Sequence, residues 1–185
     1  MNAVLRQIPN MLSGLRLILA PVAAWLILHE QDAPALCVFI VAGFSDAADG
    51  FLAKKYALTS RFGAWLDPIA DKLLMLASFV TLTIVDGVPW QLTVLVIGRD
   101  VAIVAGVLLA KLLALPLEVK PHVAGKVSTV VQVLYVAQVL LLLALQVRAP
   151  LVAAIGVWLV ALVTAWSFLA YARVFWRAAF GGTGR

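Results

Sequence analysis

Apolar residues in this chain neither alternate nor recur as a single stripe; they run on. Six stretches, about 11–29, 34–53, 63–85, 89–110, 123–147 and 150–172, are close to continuously apolar. At about 1.5 Å of rise per residue, roughly 20 such residues carry a helix across a 30 Å hydrocarbon core. Polar residues gather between the stretches: a charged connection over 29–33, a basic one over 54–62, and shorter or mixed ones over 86–88, 111–122 and 148–150. Pro34, Pro89, Pro121 and Pro150 stand at or near the starts of stretches, where a missing N–H costs a helix little. The pattern predicts an all-α polytopic membrane protein, a bundle of six transmembrane helices over residues 11–176. A short interfacial segment over residues 1–10, carrying Leu5, Ile8 and Pro9, is expected before it, and a cytoplasmic tail over 177–185 after it. No soluble domain and no internal repeat is evident.

Composition agrees. Hydrophobic residues make up 64% of the 185 and charged residues 12%, against about 25% charged in an ordinary soluble domain. A water-soluble fold of this size would lack the polar residues to cover its surface, which excludes a soluble enzyme and a disordered chain. Cys37 is the single cysteine, so no internal disulfide can form. The net charge of +5 comes from basic residues scattered among apolar runs. That suits an anionic membrane surface, and no nucleic-acid partner is expected. With the N-terminus cytoplasmic, Arg6, Lys54, Lys55, Arg61, Lys111, Lys120, Lys126, Arg173, Arg177 and Arg185 lie on or near the inner face and only Arg148 lies outside. Both termini are therefore expected in the cytoplasm. Arg6 and Arg16 before an apolar run resemble the start of a signal peptide, but Arg16 lies inside the run and five more stretches follow. No transit peptide is read at the start, so a bacterial inner membrane is the expected location.

Within the stretches stand Asp46, Asp49, Asp67, Asp71 and Asp100. An aspartate at the bilayer centre costs roughly 2.5–3.5 kcal/mol on insertion scales, so the cluster needs an explanation. Asp46 and Asp49 are three residues apart and Asp67 and Asp71 four apart, so each pair shares a helix face. The pairs sit on consecutive stretches joined by a short basic loop, so antiparallel neighbouring helices would bring four carboxylates to similar depth in the inner half of the membrane. Four carboxylates share a site only if protonated or neutralised by a cation. Oxygen ligands with no nearby histidine or thiol favour Mg²⁺, Mn²⁺ or Ca²⁺ over zinc. Gly50 and Ala53 continue the Asp46–Asp49 face, Gly63 lies one turn before Asp67, and Lys54, Lys55 and Arg61 ring the cytoplasmic mouth. Acids, a divalent cation, small residues and peripheral cations together suit a phosphorylated substrate. The plainer readings are packing for the glycines, sidedness for the basic residues, and an ion pair of one acid with Lys72 or Arg99.

The run Asp46-Ala-Ala-Asp49-Gly50-Phe-Leu-Ala53-Lys54, then eight residues, then Gly63-Ala-Trp-Leu-Asp67-Pro-Ile-Ala-Asp71 resembles the signature of the CDP-alcohol phosphatidyltransferases, D-x2-D-G-x2-A-R-x8-G-x3-D-x3-D. Every spacing is met; Lys54 stands where the family usually has arginine, keeping the charge but not the bidentate fork. Ile8-Pro9-Asn10 with Arg16, and Leu66 through Lys72, extend the similarity, which covers about residues 8–175. The resemblance implies six transmembrane helices, usually a homodimer, and two divalent ions, Mg²⁺ or Mn²⁺, held by Asp46, Asp49, Asp67 and Asp71. It implies that Asp49, Gly50, Ala53, Lys54, Gly63 and Asp67 line the pocket for the CDP moiety of CDP-diacylglycerol. It also implies that Asp71 is the general base that deprotonates the acceptor hydroxyl for attack on the β-phosphorus, with CMP leaving.

The acceptor is read from Ile97-Gly-Arg99-Asp100 and from Glu118-Val-Lys120-Pro121 leading to Gly125-Lys126-Val-Ser-Thr. These are similar to the CMP-forming cardiolipin synthases; phosphatidylglycerophosphate synthases carry a related pattern, generally with arginine followed by glutamate. Arg99 and Lys126 would suit an anionic acceptor phosphate, which both reactions have. Phosphatidylglycerol is the preferred acceptor and glycerol-3-phosphate the alternative; a structural pairing of Arg99 with Asp100 or with acids of adjacent helices is the plainer reading. An ion-coupled transporter is a remoter possibility, since intramembrane acids also mark ion paths, but no inverted repeat is seen and the acids gather near one face. An intramembrane hydrolase has only His29 and His122 to use, neither placed near the aspartates.

Overall fold

The computed structural model describes the backbone of residues 3–56, 61–113 and 123–180, and the side chains of residues 14–45, 69–110, 112–113 and 123–176. Among the described residues the chain is all helical: α1 Ala3–Leu28, α2 Asp32–Tyr56, α3 Arg61–Ile84, α4 Trp90–Leu112, α5 Val123–Ala144 and α6 Pro150–Phe180. Each predicted stretch holds one helix, and Pro34 and Pro150 fall in first turns with Pro89 just ahead of α4. Pro121 and most of the 111–122 connection lie outside the described residues. No helix boundary falls at residue 10: α1 is continuous from Ala3, so the segment expected to lie along the surface belongs to the same helix as the first stretch. At the other end α6 runs on to Phe180, eight residues past the apolar limit at 172. Its 31 residues give about 46 Å of length, well beyond a 30 Å hydrocarbon core.

The chain divides into two compact units. The first comprises residues 1–88 and 136–149, that is α1, α2, α3 and the second half of α5. Here α1 is the organising helix: α2 and α3 both pack extensively against it. The reason lies in its buried face, where Ala20 and Ala23 keep the surface low enough for close approach from two sides, with Leu26 and Ile27 beyond them. Ala35, Phe39 and Ala42 form the matching stripe of α2, and Ala70, Leu74, Phe79 and Leu82 that of α3. Three helix ends in this unit close in one way. Glu30, Asp86 and Gln146 adopt φ of 56°, 57° and 54°. In each the next residue donates back to the helix, Gln31 to Leu26, Gly87 to Leu82 and Val147 to Leu142. This is the left-handed cap that satisfies orphan carbonyls, here made by side-chain-bearing residues in place of glycine. His29 adds to the first of these ends, its Nδ1 lying 2.8 Å from the Trp25 carbonyl.

The second unit comprises residues 89–135 and 150–185, with α4 packed on α6. Trp90–Ala110, Val123–Ala144 and Pro150–Trp176 are each long and apolar enough to cross a membrane, with mean hydropathies of 2.2, 2.1 and 2.2. Only 22–33% of each is buried within the protein. Side chains such as Leu108, Leu151, Trp158 and Leu162 are exposed, which water would not tolerate over so large an area and lipid would. In the first unit the described apolar stretches are shorter, Gly14–Leu28 and Asp32–Ser45. Among the described residues three of the six expected spans therefore stand on length and hydropathy together.

Candidate active site

Asp46, Asp49, Gly50, Ala53 and Lys54 lie on the C-terminal half of α2, and Gly63 and Asp67 on the first two turns of α3. Both segments are continuous helix, so the register that the spacing requires is met by the backbone. The side chains of these seven residues lie outside the described set. Of the four acids, Asp71 is described: it is half-buried on α3, beside the fully buried Ala70, and it has an interaction partner. Among the described residues no group of three or more histidine, cysteine, aspartate or glutamate side chains comes together.

Arg16 is the largest side chain buried without exposure in the protein's described core, and it is partnered. It stands one turn before Ala20 on the α1 face that α2 and α3 share. Counting back from the turn that links α1 and α2, Arg16 is twelve residues before Leu28 and Asp46 fourteen after Asp32. At the helical rise these are depths of about 18 and 21 Å, so a buried guanidinium stands level with the start of the acid-bearing segment. A full charge with no exposure is tolerated only when paired and hydrogen-bonded.

In the second unit Arg99 of α4 is 7% exposed. Its Nη1 donates to Asp100 Oδ1, so the local pairing weighed from the sequence is present. The guanidinium is held more firmly from α6: Nε and Nη2 both donate to Ser167 Oγ, at 3.2 and 2.5 Å. Arg99 Cζ lies 5.8 Å from the centroid of the Tyr171 ring, within cation–π range. Lys126 is exposed on α5; the residue that α5 sets against Arg99 is its neighbour Gly125. A second polar knot lies close by in sequence, where Gln132 Nε2 donates to Ser128 Oγ and to Thr164 Oγ1, each at 3.2 Å. Ser167 and Tyr171 were not singled out from the sequence, and Gly125 was read there only as the start of the run that carries Lys126. The signal was there: Gly125, Ser128 and Gln132 on α5, and Thr164, Ser167 and Tyr171 on α6, each follow the i, i+3, i+7 spacing of one helix face.

Comparison with known proteins bears on the whole arrangement. A model of the CDP-alcohol phosphatidyltransferase family matches residues 6–171. The chain is 40% identical over 146 residues to a human (Homo sapiens) protein named cardiolipin synthase (CMP-forming), covering 70% of this chain and 48% of that protein. It is 34% identical over 152 residues to the chloroplastic CDP-diacylglycerol–glycerol-3-phosphate 3-phosphatidyltransferase 1 of Oryza sativa subsp. japonica, covering 73% of this chain and 46% of that one. It is 33% identical over 138 residues to a probable phosphatidylglycerophosphate synthase of Mycobacterium tuberculosis, covering 71% and 64%. The chain thus spans about half the length of the human and rice relatives. With the match running across all six helices, this chain belongs to the CDP-alcohol phosphatidyltransferase family.

Proposed function

We propose that the protein is an integral-membrane phosphatidyltransferase that moves the phosphatidyl group of CDP-diacylglycerol to the hydroxyl of an anionic alcohol. The observation that carries this is the family match over residues 6–171 together with the carboxylate spacing on the continuous helices α2 and α3. The donor set fits a hard divalent cation: all four proposed ligands, Asp46, Asp49, Asp67 and Asp71, offer oxygen, and His29 and Cys37 lie well away along the chain. When bound, Mg²⁺ or Mn²⁺, two ions by family resemblance, would neutralise the pyrophosphate and stabilise the departing CMP. Asp49, Gly50, Ala53, Lys54, Gly63 and Asp67 would hold the CDP moiety, the small residues letting it approach the backbone and Lys54 adding charge. Asp71 would take the proton of the acceptor hydroxyl as its oxygen bonds to the β-phosphorus and the bond from that phosphorus to the CMP oxygen breaks. Arg99 and Lys126 would bind the acceptor's phosphate.

Six transmembrane helices with both termini in the cytoplasm, a site opening to the cytoplasm at the inner membrane, and a homodimer complete the reading, with residues 11–176 as the transferase domain between the 1–10 segment and the 177–185 tail. Phosphatidylglycerol is the favoured acceptor, supported by 40% identity over 146 residues to a protein named cardiolipin synthase; glycerol-3-phosphate is the alternative, supported by relatives at 33–40% identity over 102–152 residues. The test is an acceptor comparison on purified protein with labelled CDP-diacylglycerol and Mg²⁺ or Mn²⁺. CMP release with phosphatidylglycerol supports the first acceptor and release with glycerol-3-phosphate alone the second. Asp71→Asn should keep CDP-diacylglycerol binding and abolish turnover. Full turnover by that variant, or CMP release undiminished by chelation, would overturn the mechanism.

A further inference from the structure

Arg99 is built into its place by three helices of the second unit. A guanidinium has five N–H donors in a fixed plane. Ser167 Oγ accepts from Nε and from Nη2, so one oxygen occupies the side edge of the fork. Asp100 accepts from Nη1. Among the described residues this leaves one N–H on each terminal nitrogen. Tyr171, one turn beyond Ser167, lays its ring 5.8 Å from Cζ. On α5, a Cβ at Gly125 would stand 2.9 Å from the Tyr171 hydroxyl oxygen, 3.3 Å from its Cε2 and 3.4 Å from Arg99 Nη2. The first of these is closer than Cβ atoms come, so the Tyr171 ring can lie beside Arg99 because residue 125 has no side chain.

We propose that Ser167 and Tyr171 are positioning residues that aim the terminal edge of Arg99 at the phosphate of the acceptor alcohol, and that Gly125 keeps the space this requires. The inference rests on the reading above in which Arg99 binds that phosphate. A hydroxyl that takes both side-edge donors fixes the plane and rotation of the guanidinium. The donors left over sit one on each terminal nitrogen, available to the oxygens of an incoming phosphate. At the side edge a hydroxyl orients the guanidinium without setting a second negative charge on it beside that of Asp100, so the arginine can still take an incoming anion. Asp100, 29% exposed, is the one acid on Arg99 in the described set, and it accepts from Nη1. The oxyanion is recognised in the same way on a soluble phosphorylated polyol or on a lipid headgroup.

The test measures KM for the acceptor and for CDP-diacylglycerol separately, on the full chain in detergent with Mn²⁺, in one arm with glycerol-3-phosphate and in another with phosphatidylglycerol. Losing a hydrogen bond to a charged group, Ser167→Ala should raise the acceptor KM about tenfold and leave the CDP-diacylglycerol KM within about twofold. Ser167→Thr, which keeps the hydroxyl, should restore it. Gly125→Ala should raise the acceptor KM as well, and the added change Tyr171→Phe, which removes the oxygen the new methyl meets, should lower it again; this pair also serves if Ser167→Ala folds poorly. The arm in which KM moves identifies whether the phosphate is the soluble or the lipid one. Equal rises in both KM values, or an unchanged acceptor KM in Ser167→Ala and Gly125→Ala, would overturn the positioning role. If Arg99→Lys also leaves the acceptor KM unchanged, the underlying assignment of Arg99 falls; if Arg99→Lys raises it while the other two variants do not, the positioning inference alone falls.

Discussion

The knot around Gln132 makes a prediction whose size depends on which partner is removed. Gln132 is 4% exposed, and its amide nitrogen spends its N–H groups on Ser128 one turn back and on Thr164 across to α6. Thr164→Val changes the shape little but leaves an amide N–H facing carbon. A buried donor left without an acceptor costs about 1–3 kcal/mol in soluble proteins. Interhelical hydrogen bonds within a bilayer average nearer 0.6 and reach about 1.7 kcal/mol. With the Ser128 bond retained, about 1 kcal/mol is the expected loss. Gln132→Leu removes both donors at once and fills the volume with carbon. The hydroxyls of Ser128 and Thr164 can then turn to carbonyls on their own helices, as Ser78, Thr81, Thr83 and Thr129 already do. The expected cost of Gln132→Leu is therefore under about 0.5 kcal/mol, with the double variant no less stable than Thr164→Val alone. Reversible unfolding in mixed micelles, followed by far-UV ellipticity against the mole fraction of denaturing detergent, measures all three. A Gln132→Leu protein less stable than Thr164→Val would refute the argument, since the amide would then contribute more than its orphaned N–H costs.

The three left-handed caps invite glycine: Glu30→Gly, Asp86→Gly and Gln146→Gly should each stabilise by up to about 1 kcal/mol, because a side chain in that conformation costs roughly 1–2 kcal/mol while glycine gives back part in unfolded-state entropy. Loss of stability in all three, read in the same unfolding assay, would contradict that account. Asp32, at the start of α2, has its carboxyl pKa raised by burial first and by the charge of Glu30 second. A raised acid pKa is a penalty on the charged form that is absent below the ordinary carboxylate range and grows as pH rises through the folded value. Asp32→Asn should accordingly stabilise near neutral pH and make no difference in acid, and a gain that persists at pH 3 would rule this out. At the candidate site, Asp49→Ala should abolish metal-dependent binding of CDP-diacylglycerol along with turnover, whereas Lys54→Arg, which adds the fork the family usually has, should keep or improve activity; a dead Lys54→Arg enzyme would place this position outside the family's use of it.

How much was legible beforehand divides along a physical line. The six helices were readable because their cause is local: each run of about 20 apolar residues must satisfy its own backbone hydrogen bonds, whatever its neighbours do. The family and the four-aspartate signature were readable for the same reason, since spacing along one helix is spacing on one face. Hydropathy marks where a helix meets lipid, so the apolar limits at 11 and 172 do not coincide with the helix ends at Ala3 and Phe180. What no local pattern decides is which faces meet. That α1, through Ala20 and Ala23, receives both α2 and α3, and that Arg16 has no exposure at all, follow from packing across separate segments. So does the setting of Arg99: its partner Ser167 lies 68 residues away in sequence, and only the folded second unit turns an arginine, a serine, a tyrosine and a glycine on three helices into one oriented guanidinium. Hydrophobicity along the chain determined that this protein would be helices in lipid, because that force is non-directional and summed over a segment. Directional contacts decided where its buried charge points, and those exist only after the helices have packed.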